Sequence, residues 1–101
     1  MQLRMLNDDM AEQKEYDPRR VGARIFEART AHQLSQSELA SRCGFSVTAL
    51  SNWENGRQRP SIAAAKKIVD LFDLTLDYLL LGRTATLRHS VAQHLEQTLR
   101  R

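Results

Sequence analysis

A chain of 101 residues with a formal net charge of +3 has room for one core of ordinary size and not for a second independent one. Its single cysteine, Cys43, excludes an internal disulfide, and no Cys/His grouping has a metal-site spacing, so packing alone must hold the fold and no cofactor is expected. Charged residues from Arg4 onward and the lack of a long apolar run argue against a signal peptide and a membrane helix, which places the expected location in a reducing cytoplasm.

Residues 1–16 are charged and poor in apolar side chains, and read as an N-terminal arm or tail with at most a helical stretch. Up to Asp17 the chain is acidic. Residues 18–64 instead set Arg19, Arg20, Arg24, Arg29, Arg42, Arg57 and Arg59 against Glu27, Glu38 and Glu54. A basic centre is a pointer to a polyanion, although an excess of this size is also common on ordinary soluble proteins.

From residue 17 to residue 82 the pattern is a succession of short helices. Asp17 and Pro18 look like an N-cap and a first-turn proline, and Val21, Ile25 and Ala28 follow as an apolar stripe in a helix that ends near His32. Ser35 and Glu38 make the S-x-x-E capping box of a second helix, with Leu34 and Leu39 spaced to staple across it, and Gly44 stops it. After Phe45, Ser46 caps a third helix that Gly56 closes, so only Gly44 and Phe45 lie between the second helix and the cap of the third. Pro60 and Ser61 lead into a fourth helix in which Ile62, Ala65, Ile68, Val69 and Phe72 share a face. Thr75 caps a short fifth helix that stops at Gly82, with Leu74 and Leu79 as a staple. Five helices in this length predict a small orthogonal all-α bundle. In residues 83–101, Leu87, Val91, Leu95 and Leu99 recur every fourth residue. They predict an additional C-terminal amphipathic helix whose stripe is covered by the bundle or by a second copy of the chain.

The third helix poses the functional question. Its spacing turns Leu50 and Trp53 to one side, with Val47 at the edge, and Thr48, Ser51, Asn52 and Asn55 to the other. Short hydroxyls and amides are poor helix formers, yet each donates and accepts hydrogen bonds at fixed reach, the chemistry required to read base edges in a DNA major groove. A merely solvated polar face satisfies the same pattern. Trp53 reads as a core anchor and Cys43 as a small buried hydrophobe. His89 and His94, five residues apart, face different ways on a helix, and His32 suits the negative end of the first helix dipole.

Taken together, the L-S-Q-x-E-L-A run from Leu34, Gly44 in the turn, and S-x-W-E-N-G-x-x-x-P from Ser51 to Pro60 resemble the lambda-repressor-like (Cro/cI, XRE-type) helix-turn-helix family. The resemblance covers residues 18–82. It implies a five-helix domain that binds double-stranded operator DNA, usually as a homodimer, with the third helix in the major groove. By that resemblance Val47, Thr48 and Asn52 are the base readers, while Gln36, Ser46, Ser51 and Asn55 contact phosphate or the groove edge. It also pairs Arg29 with Glu54 and sets that arginine near phosphate, and Arg57 and Arg59 extend the basic rim. Where other versions have two glutamines at the start of the third helix this chain has Val47 and Thr48, so the docking carries over and the target sequence does not. The function expected is a non-enzymatic transcriptional regulator, a repressor on a palindromic operator. The alternative is an antitoxin-type interaction protein whose terminal segments bind a protein partner.

Overall fold

A computed structural model of the protein describes residues 13–85 and 87. Among these residues there are no strands; residues 13–15 are helical, and five longer helices follow. They are α1 (Pro18–Ala31), α2 (Gln36–Cys43), α3 (Val47–Glu54), α4 (Ile62–Phe72) and α5 (Leu76–Leu81). Most of the C-terminal stripe lies outside the described residues, as do His89 and His94; Leu87 is half-buried against the core.

Each helix begins where a short polar side chain can bond the backbone one turn on. Asp17 accepts from the Arg19 amide, Ser46 from Ala49, Ser61 from Ala64 and Thr75 from Tyr78. At α2 the capping box is complete: Ser35 Oγ accepts from the Glu38 amide at 3.0 Å and the Glu38 carboxylate accepts from the Ser35 amide at 2.9 Å. These bonds hold the Glu38 carboxyl below its usual pKa, first through the Ser35 backbone N–H and then through the Ser35 side chain. The stops are less uniform. Gly44 and Gly82 end α2 and α5 in the left-handed region, but Asp73 ends α4 and Gln33 follows α1 with φ of 58° each, without the relief glycine would give.

The core is one cluster. Val21, Ile25 and Ala28 of α1 meet Leu39, Ala40 and Cys43 of α2, Leu50 and Trp53 of α3, Ala65, Ile68, Val69 and Phe72 of α4, and Leu74, Tyr78 and Leu79 at the end. The staple leucines and Phe45 lie in or against it. α1 packs on α3 and α5, α2 on α3 and α4, and α4 on α5. Cys43 is buried with its thiol pKa raised by desolvation, as suits a small core hydrophobe. Ile62 departs from its expected inward position and is 58% exposed. Ala63 beside it is exposed too, and α4 enters the core only from Ala64 onward, so its first turn overhangs the bundle.

Two polar ties close the structure. Arg24, buried on α1, donates from Nε to the Leu79 carbonyl at 2.9 Å and from Nη1 to Glu15 Oε2 at 2.8 Å, while Nη2 bonds the Glu15 carbonyl. Leu79 belongs to the last turn of α5, where carbonyls lack helical partners, and the guanidinium supplies one. At the other end of α1, His32 donates from Nδ1 to the Ala28 carbonyl at 2.9 Å and its ring rests against Phe72. Among the described residues no helix is long and apolar enough to cross a membrane.

Candidate nucleic-acid interface

α3 is held by its buried side. Leu50 is fully enclosed, and Trp53 receives the Phe45 ring edge-on at 4.9 Å between centroids, which ties the α2–α3 turn to the helix it introduces. The opposite face is open. Val47 is 44% exposed, Thr48 and Asn55 are exposed, and Ser51 and Asn52 are half-buried. Five neighbouring side chains on this face carry no charge, and two of them bond each other: Asn55 Nδ2 donates to Ser51 Oγ at 3.2 Å. At the N-terminus Ser46 Oγ accepts from the Ala49 amide, which leaves its hydroxyl hydrogen to donate outward.

The far end of α3 is fixed by charge. Glu54, its side chain 4% exposed, accepts from Arg29 Nε at 2.8 Å and Nη2 at 2.9 Å, a two-pronged pair between α1 and α3. Arg29 Nη1 donates to the Leu34 carbonyl at 2.8 Å, and Gln36 Nε2 donates to Glu54 Oε1 at 3.1 Å. One carboxylate therefore orients a residue of α1 and the first residue of α2 together. With three donors turned inward and its side chain 11% exposed, Arg29 is largely enclosed.

Beyond α3 lies the basic rim. Gly56 takes φ +75°, and a Cβ there would stand 2.7 Å from Arg19 Cγ and 2.8 Å from Arg19 Cα. Conformation and close approach thus both require glycine at this turn. Arg57 is exposed and donates from Nη1 to Asn52 Oδ1 at 3.2 Å. Arg59 bonds the Tyr16 carbonyl at 3.1 Å with its guanidinium 4.0 Å above the Tyr16 ring, so the loop after α3 is tied to the residues before α1. The sequence reading missed Arg19, whose side chain is 82% exposed and pairs with Asp17. Only the crossing of α1 over the end of α3 brings it beside Gly56, and no local pattern announces that.

An uncharged reading face on a short helix, reached through a tight glycine turn and bordered by arginines, is the working surface of a helix-turn-helix DNA-binding domain. The comparison with known families agrees: the family model described as helix-turn-helix matches residues 25–79, and the chain belongs to this XRE-type helix-turn-helix family. It is similar to the HTH-type transcriptional activator BcrR of Enterococcus faecalis, 37% identical over 59 residues, which are 58% of this chain and 29% of the activator. It is also similar to the ImmF control region 10 kDa protein of Bacillus phage phi105, 40% identical over 63 residues, which are 62% of this chain and 70% of the phage protein. The match thus spans less than a third of the activator's length. No solved structure gives a significant match. The chain thus carries a DNA-binding domain of the helix-turn-helix type, similar over that domain to transcriptional regulators.

Proposed function

We propose that the protein represses transcription by occupying a promoter, bound as a homodimer to a palindromic or pseudopalindromic operator with α3 of each copy in the major groove. The observation that carries this reading is the open face of α3, where Val47, Thr48, Ser51, Asn52 and Asn55 offer methyls, hydroxyls and amides without a charge among them. Asn52 pairs with adenine through both edges of its amide, Val47 meets a thymine methyl, and Thr48 presents a hydroxyl or a methyl. Gln36, Ser46, Ser51, Asn55, Arg57 and Arg59, joined by Arg19, contact the sugar-phosphate backbone and set the register. Arg29 acts through Glu54, which in turn orients Gln36.

Two-fold symmetry of the protein requires matching symmetry in the site, with half-sites about one helical turn, or about 34 Å, or a multiple of it apart. Activation is the second reading, and it rests on the printed name of the Enterococcus faecalis relative. The same docking serves both signs, since the position of the operator decides whether polymerase is excluded or assisted. Selection of binding sites from a random duplex library at one stated salt concentration tests the proposal. Two related half-sites at a fixed spacing are expected. Enrichment of a single asymmetric site would remove the dimer, and no enrichment by folded protein would remove sequence reading altogether.

A further inference from the structure

α3 ends in a Schellman motif that folds the following residue back over the helix. Gly56 donates its amide to the Trp53 carbonyl at 3.1 Å, and Arg57 donates its amide to the Asn52 carbonyl at 2.9 Å. The backbone of Arg57 is thereby anchored to the residue whose side chain its own guanidinium reaches, with Nη1 donating to Asn52 Oδ1 at 3.2 Å.

Asparagine reads adenine only when its carbonyl faces the N6 amino group and its NH2 faces N7. Left alone, the amide turns about a broad, two-fold torsion, and half of its orientations present the edges the wrong way round. A guanidinium has donors and no acceptor, so it bonds the oxygen of the amide and never the nitrogen. It therefore tells the two edges apart. The oxygen retains a second lone pair for adenine, and the other N–H groups of Arg57 remain for phosphate.

We propose that Arg57, outside the recognition helix, is a positioning residue for sequence reading: it holds the Asn52 amide in the orientation that adenine requires and so sets the preference at one base pair. The inference rests on the placement of α3 in the major groove proposed above. An arginine that only touched phosphate would strengthen binding to every sequence alike.

Arg57→Lys separates the two roles, because lysine keeps the positive charge and loses the planar fork. The full chain, Arg57→Lys, Asn52→Ala and the double variant are titrated at two salt concentrations. The duplexes are the selected operator, the operator changed at the base pair where Asn52→Ala loses preference, and a random sequence. Beyond whatever loss it shows on random DNA, Arg57→Lys is expected to lose about fivefold in preference at that base pair, and to lose none of that preference in the Asn52→Ala background. Equal losses on matched and changed operators, or the same loss with and without Asn52, overturn the positioning role while the operator reading stands. If the unaltered chain discriminates no sequence, both fall together.

Discussion

Gly22 on α1 lies against the backbone of Trp53 on α3 so closely that a Cβ at residue 22 would stand 2.1 Å from the Trp53 carbonyl oxygen and 2.9 Å from that of Glu54. The two helices cross there backbone to backbone. Everything that faces outward from α3 is placed by this crossing, together with the Arg29–Glu54 pair two turns further along α1.

Gly22→Ala is therefore expected to destabilise the domain, by up to about 2 kcal/mol. Alanine gains about 1 kcal/mol of helix propensity, but a methyl group forced against two carbonyls must move one helix, and overpacking of this kind costs about 1–3 kcal/mol before any loss of core contact. Urea unfolding followed by circular dichroism measures it. A variant as stable as the parent would mean that the helices separate freely at this point.

Glu54→Ala leaves the Arg29 guanidinium enclosed without its carboxylate. Removing one partner from a buried pair costs about 3–5 kcal/mol, and with side chains 11% and 4% exposed this pair lies near that limit. Loss of about 3 kcal/mol is expected in the same unfolding experiment, with Gln36 released from its bond. A loss under 1 kcal/mol would show that solvent reaches the site and screens it.

Asn52→Ala is expected to weaken operator binding by about 1–3 kcal/mol and to relax preference at one base pair, with little change on random DNA. Gel-shift titration on both duplexes is the check, and an equal loss on the two would contradict its assignment as a base reader.

Gln33 holds φ at 58° in the turn after α1. That conformation costs a residue with a Cβ about 1–2 kcal/mol, whereas glycine adds about 0.4–1 kcal/mol of freedom to the unfolded chain. Gln33→Gly should thus stabilise the domain by about 0.5 kcal/mol, read as a small rise in Tm with no change in DNA binding.

The capping box makes stability depend on acid. Because the folded pKa of Glu38 lies below its ordinary value of 4.5, its contribution is present above pH 4.5 and is lost as pH falls through the folded value. Glutamine can keep the bond to the Ser35 amide without titrating. Glu38→Gln should then show a shallower fall in Tm between neutral pH and pH 3, and parallel curves would remove Glu38 as a source of acid sensitivity.

The helix starts were legible because each is a local bond: Ser35, Ser46, Ser61 and Thr75 all accept from an amide three residues on. The end of α1 near His32 was legible too, but that of α4 was not, since Asp73 occupies a conformation that sequence reading expects of glycine. The open face of α3 followed from helical spacing alone, and the Arg29–Glu54 pair from the family resemblance. Arg19, Gly22 and Arg24 escaped for one shared reason: what each does is decided by a helix far away in sequence. The bond from Arg57 to Asn52 lay hidden differently, behind a turn whose geometry is written only in Gly56.

The Arg24 tie has a topological meaning. A Cβ on Gly82 would stand 2.7 Å from Glu15 Oε2 and 3.0 Å from Arg24 Nη1, so the strand of chain entering the bundle and the one leaving it meet at a single point on the surface. Between Glu15 and Gly82 the polypeptide is nearly a closed ring. A short glycine-rich link across that point would complete the ring, and a new opening cut elsewhere, in the exposed loop at Gln58, would give a circular permutant with every helix in its original place.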